Sequence, residues 1–248
     1  MKRSHLLLLL IPLLLSSACR HHDGESGFLK LKFVPTYDGR VLPMYETVQN
    51  PDGFPMKVKR LAFFTEVLNT GATLRDVSNV VALVDFSDLT DKQRAEQGVV
   101  KEFSLKPGDY QSLMLGVGVP SGLNSKAPQD FPSSNPLSEE AYYWQAWDSY
   151  IFTKTEGALD TLKNGIFDLQ FSYHTGIDEM YRIVDLPKNF RVVDGQTTEL
   201  TIEVDVKEIL NGKGGTVDPR KNQNAHSVNN KPIAIVISNN YKTALKVK

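Results

Sequence analysis

The chain has 248 residues, of which 41% are hydrophobic and 23% charged, and its formal net charge at pH 7 is −1. This composition supplies enough apolar material for a folded core and excludes collagen-like chains, membrane carriers and long disordered proteins. The near balance of 28 basic and 29 acidic residues argues against nucleic-acid binding, which needs clustered positive charge to neutralise phosphates.

The first residues of the chain predict an export signal. A basic start, Met1-Lys2-Arg3, precedes an unbroken apolar stretch at 6–15. This stretch is shorter than the roughly 20 apolar residues of a membrane-spanning helix, and its pattern is typical of a secretory signal. Three small residues at 16–18 lead directly to Cys19, so the segment looks like a bacterial lipoprotein signal in which Cys19 is acylated. Ordinary secretion, with Cys19 a bystander, is the alternative.

The predicted signal divides the chain into a signal peptide at 1–18, a polar tether at 19–27 and one domain at 28–248. We expect the mature protein to be lipid-anchored in the bacterial cell envelope. Because Cys19 is the only cysteine, no disulfide can form within the chain, and the fold depends on its core or on a metal. An acylated Cys19 also excludes catalysis by cysteine.

Alternating apolar and polar residues predict strands along most of the domain. Leu29, Leu31 and Phe33 alternate with lysines, which is the period of two expected for a half-buried strand. Nine further predicted strands lie at 56–68, 80–86, 99–105, 110–119, 150–156, 166–174, 181–193, 200–206 and 233–238.

One short helix is predicted at 138–147, where Ser138 is a suitable N-cap and two glutamates follow it. About ten short strands and one brief helix in a long loop indicate an all-β fold, an antiparallel β-sandwich.

The lengths of the connections suggest where a site is built. If successive strands reverse direction, every second connection lies at the same end of the sandwich. These connections are 35–55, 87–98, 120–149, 175–180 and 207–232. Long loops at one end of a rigid β scaffold are a common place for binding sites. His174 and His226, the only histidines of the domain, then fall at the same end.

Two neighbouring imidazoles can bind copper or zinc, and we take His174 and His226 as candidate metal ligands. A closed tetrahedral site needs more ligands, and Met44, Met56, Asn135 or a carboxylate could supply them. The alternative for each histidine is an ordinary surface side chain in a loop.

The densest aromatic patch, 142–147, contains both tryptophans of the chain, Trp144 and Trp147, with Tyr150 and Phe152 following. A spacing of three places the two tryptophans on one face if this segment is helical. The patch could be a flap that plugs the sandwich, a platform that stacks on sugars, or an aromatic redox neighbour of a metal.

Familiar enzyme signatures are absent from the sequence. It contains no His-Glu-x-x-His, no phosphate-binding loop, no dinucleotide fingerprint and no Gly-x-Ser-x-Gly elbow. We therefore expect a binding protein rather than an enzyme.

Several segments together resemble the MbnP-like family of bacterial copper-binding proteins. The strongest is 143–152, which begins Tyr143-Trp144-Gln145-Ala146-Trp147, and Phe171-Ser172-Tyr173-His174-Thr175-Gly176 closes the series. The remaining segments are 58–64, 84–86, 107–110, 116–124, 135–138 and 156–157.

This resemblance implies an exported β-sandwich that binds copper. It also implies a dihaem peroxidase of the cytochrome c type as a possible partner. His174, Trp144 and Trp147 match family segments, and Asn135 stands where many members are expected to have histidine, so these positions are expected to neighbour the site. The competing hypothesis is a metal-free surface lipoprotein that binds glycan or protein through its aromatic loop.

Overall fold

The computed structural model describes residues 26–68, 81–226 and 230–248. Cys19, the predicted signal peptide and the two tether histidines, His21 and His22, lie outside these residues. Within the described ranges, no helix is long and apolar enough to span a bilayer.

Strands dominate the described residues. In chain order they are β1 (Gly27–Tyr37), β2 (Arg40–Val41), β3 (Thr47–Gln49), β4 (Pro55–Leu68), β5 (Ala82–Asp85), β6 (Val99–Leu105), β7 (Gly108–Val117), β8 (Tyr143–Trp144), β9 (Ser149–Leu159), β10 (Leu169–Gly176), β11 (Arg182–Val192), β12 (Thr197–Asp205), β13 (Asn211–Gly212), β14 (Gly215–Thr216), β15 (Asn224–Ala225) and β16 (Leu245–Val247). The α-helices are α1 (Lys92–Gln97), α2 (Ser121–Asn124), α3 (Val206–Leu210) and α4 (Lys231–Ala244).

The strands form two main sheets. The first has the order β16-β12-β1, with β2 and β6 pairing along the other side of β1. The second has the order β11-β7-β4-β9-β10-β15, and β3 and β5 also pair with β4. Most ladders are antiparallel, but β1 pairs with β12, and β10 with β15, in parallel.

The core lies between these two sheets. In β1, Leu29, Leu31 and Phe33 are fully buried while the intervening lysines face outward, as the period of two predicts. Phe33 meets Phe63 of the second sheet edge to face, with ring centroids 5.7 Å apart. Tyr241 of α4 packs on the same Phe63 ring at 5.6 Å. The predicted all-β sandwich is therefore confirmed, with mixed rather than purely antiparallel pairing.

The predicted strand at 233–238 is wrong, because these residues belong to α4. Isoleucine and valine in this segment favour a strand locally. However, Pro232 stands in the first turn of α4, a position where proline suits a helix. The fully buried residues Ala234, Ile237, Tyr241 and Ala244 recur at helical spacing, so packing against the core decides the structure. Each of the other nine predicted strands overlaps an observed one.

The single helix predicted at 138–147 is also wrong. This segment consists of short 3₁₀ turns, at Pro136–Ser138, Glu140–Tyr142 and Gln145–Trp147, and of β8. Tyr143 and Trp144 pair with Tyr150 and Ser149 of β9, which draws the chain into an extended form. The connection thereby lies against the outer face of the second sheet.

Candidate metal centre

The two histidines of the domain lie side by side on the outer face of the second sheet. His174 is in β10, and β15 runs parallel to β10 with Tyr173 opposite Ala225. His226 follows β15 directly, so the parallel register brings it beside His174. The centroids of the two imidazole rings are 4.3 Å apart, and the ring planes differ by 32°.

The alternation of β10 determines which side chains reach this face. Phe171, Tyr173 and Thr175 are buried, while Ser172 and His174 are half-buried on the opposite side. In the antiparallel ladder with β9, Glu156 stands opposite Ser172 and Lys154 opposite His174. Adjacent strands therefore deliver a carboxylate, a hydroxyl and an imidazole to one small area.

Hydrogen bonds connect these groups on the Nε2 side of both rings. Nε2–H of His174 donates to the Glu156 carboxylate, with 2.7 Å between Nε2 and Oε1. The Ser172 hydroxyl oxygen lies 2.7 Å from Nε2 of His226 and 3.3 Å from Nε2 of His174. Both imidazoles thus converge on the same serine oxygen.

The surroundings of these groups shift their protonation in directions that favour metal binding. The hydrogen bond from His174 lowers the pKa of the Glu156 carboxyl, although partial burial opposes this. Burial lowers the pKa of His226, the neighbouring His174 lowers it further, and the charge of Glu156 opposes both effects. A metal ligand must be a neutral imidazole, and the lowered pKa of His226 favours that form.

Lys154 attaches the aromatic connection to the sheet beside the histidines. Its ammonium donates to the backbone carbonyl of Ala141 at 2.6 Å and lies 3.9 Å from the centroid of the Tyr142 ring. Burial lowers the pKa of this lysine. The Lys154 ammonium therefore attaches the 120–149 connection to β9 through Ala141 and Tyr142.

Trp144 stands over both imidazoles. Its ring centroid lies 5.8 Å from that of His226 and 6.5 Å from that of His174, with ring planes nearly perpendicular at 77° and 78°. Trp147 stacks on Trp144, with centroids 4.1 Å apart. The two tryptophans do not share a helical face as predicted, but the turn between them brings their rings together beside the histidines.

The remainder of the aromatic patch is structural. Tyr142 and Tyr150 are buried and pack on Phe64 of β4, with ring centroids 5.5 and 6.1 Å from it. This part behaves as the predicted flap, while Trp144 and Trp147 remain partly exposed.

Of the other suggested ligands, the structure brings a carboxylate, that of Glu156, to this pair, but not Met44, Met56 or Asn135. Met44 and Met56 are buried in the hydrophobic core. The side-chain oxygen of Asn135 accepts the N–H of Leu137 at 2.9 Å, and Asn135 lines a surface cleft with Leu83 and Lys101. In the part of the chain that the structure describes, no group of three or more His, Cys, Asp or Glu side chains is arranged to hold a metal ion.

The sequence analysis placed Glu156 and Ser172 in segments that resemble the family but gave neither a role at the site, yet both contact the histidines. A signal for both was present. The predicted strands 150–156 and 166–174 are joined by a short connection and therefore pair as neighbours. Since Ser172 and His174 are two residues apart, they share a face, and Glu156 falls on the facing strand.

The fold and this cluster define the class of the protein, an all-β sandwich that carries a histidine pair and two stacked tryptophans on the outer face of one sheet. The family model of MbnP matches residues 26–230. The chain therefore belongs to the MbnP family, which confirms the resemblance in the sequence.

A solved structure of MbnP from Methylosinus trichosporium is similar at 11% sequence identity and a TM-score of 0.47, over 74% of this chain and 77% of that one. Comparison with curated proteins finds no match.

Proposed function

We propose that this protein handles copper and binds one copper ion through His174 and His226. Membership of the MbnP family supports copper handling at the level of the family. The observation that carries the assignment to these residues is the 4.3 Å separation of the two imidazole rings. Adjacent imidazoles on two paired segments can supply two nitrogen ligands to one ion with only side-chain rotation.

The donor set fits copper better than zinc. Structural zinc sites take four ligands in a tetrahedron and catalytic zinc sites take three. Two imidazoles are a sparse set, because the Glu156 carboxylate is engaged by Nε2 of His174 and no group of three or more His, Cys, Asp or Glu side chains is placed for a metal among the described residues. Copper(I) accepts two or three nitrogen or sulfur ligands, so the pair can suffice for it.

The neighbours of the pair suit the binding of a cation. The Glu156 carboxylate supplies negative charge beside the cation, and the Trp144 ring covers one side of the imidazoles. The His174 side chain is 15% exposed and that of Glu156 29%, so the site lies at the surface but is largely shielded from water. In the proposed function, copper is a cargo that the protein binds and not a catalytic cofactor.

The test is a copper(I) titration under reducing conditions. We expect about one copper per chain in the wild-type protein and almost none in the His174→Ala, His226→Ala double variant. The matched control is His21→Ala, His22→Ala, which removes two imidazoles from the tether and should leave binding unchanged. Wild-type binding no higher than background, or full binding by the first double variant, would refute the assignment.

We also propose that the protein is exported and anchored by lipid on Cys19, and that it acts with a dihaem peroxidase of the cytochrome c type. The N-terminal sequence up to Cys19 supports the first statement, and the family resemblance supports the second. A Cys19→Ser variant should move from the membrane fraction to the soluble fraction. Wild-type protein that is already soluble after export would contradict lipid anchoring.

A second candidate is binding of a glycan or protein through the aromatic loop without metal. A pocket of about 250 Å³ beside Trp147, lined also by Ile177 and Met180, favours it. In this case Trp147→Ala should abolish ligand binding on a glycan array while the melting temperature is unchanged. A collapse in melting temperature would instead show that Trp147 is needed for packing.

A further inference from the structure

The Nε2 atoms of the histidine pair are already occupied by protein groups. Glu156 lies 2.7 Å from Nε2 of His174, and the Ser172 hydroxyl lies within hydrogen-bond distance of Nε2 on both rings. A metal ion on this side would have to displace the carboxylate from His174.

The chemistry of the Glu156 contact determines the tautomer of His174. An ionised carboxylate can only accept hydrogen bonds, so the proton must be on Nε2. A neutral imidazole carries one N–H, and Nδ1 is then the nitrogen with a free lone pair. Both hydrogen bonds of the His174 ring are made by Nε2, and among the residues that the structure describes none is hydrogen-bonded to Nδ1.

The backbone makes this contact a fixed feature of the sheet. Glu156 stands opposite Ser172 in the β9–β10 ladder, two residues from the position opposite His174. The diagonal reach between neighbouring strands suits long side chains. Both side chains are largely shielded, at 15% and 29% exposure, so water competes weakly for the hydrogen bond.

We propose that Glu156 is a positioning residue, which accepts Nε2–H of His174 and so presents Nδ1 of that histidine to the metal. This inference rests on the proposed copper site. Metal-bound histidines commonly donate their second ring N–H to a carboxylate, which fixes the tautomer and orientation and raises the basicity of the ligand. Loss of such a partner commonly weakens metal binding by about 10- to 100-fold.

The experiment is ¹⁵N NMR of the mature protein with and without copper(I), which is diamagnetic. In the metal-free protein His174 should show a protonated Nε2 and an unprotonated Nδ1. On addition of copper(I), the Nδ1 resonance should shift while Nε2 keeps its proton. Copper bound through Nε2 of His174 would overturn the inference and leave the proposed function standing. Absence of any copper-induced shift on both histidines would instead refute the proposed function, and the inference with it.

Variants add a second readout. We expect Glu156→Ala to weaken copper(I) binding by about 10- to 100-fold, and Glu156→Gln, whose amide oxygen still accepts Nε2–H, to restore part of it. The matched control is Glu199→Ala, which removes an exposed carboxylate paired with Lys30 on the other sheet and should bind as wild type. Wild-type affinity in Glu156→Ala would overturn the inference. If that variant does not fold, the spectrum of the wild-type protein still decides the question.

Discussion

The two segments that carry the histidines are held in very different ways. β10, which contains His174, pairs with β9 along its whole length, from Leu169 to Gly176. Its inner face places Tyr173 and Phe171 in the core. β15, which leads to His226, has only two residues. His174 therefore lies within a fully paired strand, whereas His226 follows a two-residue strand at the edge of the sheet.

A few specific contacts attach the second segment. The Tyr173 hydroxyl donates to the carbonyl of Asn222 at 2.5 Å, and Ser172 N–H donates to the carbonyl of Gln223 at 2.8 Å. Further out, Arg220 pairs with Asp52 at 2.7 Å. Metal affinity should therefore depend on groups that never touch the ion, because they hold the segment that ends in His226.

The same arginine also packs on an aromatic ring. Its guanidinium carbon lies 4.5 Å from the centroid of Phe54, and a second ion pair joins it to Asp218 within its own segment. Arg220 thus attaches the connection to the turn before β4 by both charge and packing.

The largest effect is expected for Tyr173→Ala, because this residue serves both segments. The ring is fully buried, and removing such an aromatic side chain costs about 3–5 kcal/mol of unfolding free energy. Tyr173→Phe keeps the ring and removes only the hydroxyl bond to Asn222, for a cost of about 1 kcal/mol. Chemical denaturation measures both values, and equal losses for the two variants would contradict this division of roles.

A smaller effect on stability, and a more selective one, is expected for Arg220→Ala. Exposed ion pairs contribute about 0–1 kcal/mol, so melting should change little. Amide exchange near His226 should nevertheless become faster, and copper(I) affinity should fall several-fold, while β10 keeps its protection. The control is Arg191→Ala, which breaks an exposed arginine–aspartate pair with Asp109 away from the site. Equal loss of affinity in the control would show that the effect is general.

The smallest effect on copper affinity is expected for Glu66→Gln. Glu66 is buried and accepts a hydrogen bond from the Tyr181 hydroxyl at 2.6 Å, and burial raises the pKa of this carboxyl. The folded protein therefore holds the proton more tightly than the unfolded chain. The free energy of unfolding then decreases as pH rises from the unfolded pKa through the folded one.

The variant removes this dependence, so its stability relative to wild type should increase as pH rises above the pKa of an unfolded glutamate. Urea denaturation at several pH values measures the trend. Copper affinity should remain that of the wild type, since Glu66 is on β4 near its end, outside the two histidine segments. A relative stability that falls as pH rises would contradict the raised pKa.

The contrast between the two segments also explains how far the sequence could predict the structure. The period of two identified β10 and nearly all other long strands, since alternating burial is a local property. The same reasoning failed at 233–238, where isoleucine and valine favour a strand but the buried positions of α4 follow helical spacing. Packing against distant residues determines the helix there, and the local sequence pattern indicates that packing only weakly.

The juxtaposition of His174 and His226 was predicted by an argument that is only partly correct. Strict reversal of strands placed both histidines at one end of the sandwich, whereas the structure joins them through a parallel ladder between β10 and β15. A two-residue strand in a long polar connection has no detectable periodicity, so its pairing could not be anticipated. The metal-binding roles of the two residues stay a prediction.

The central claim is that one copper ion binds between His174 and His226. Anomalous diffraction at the copper absorption edge, from crystals of the copper-loaded protein, tests it most directly. We expect one strong peak about 2 Å from an imidazole nitrogen of each histidine, beneath the Trp144 ring. A peak at any other place in the molecule, or no peak from protein equilibrated with copper, would contradict it.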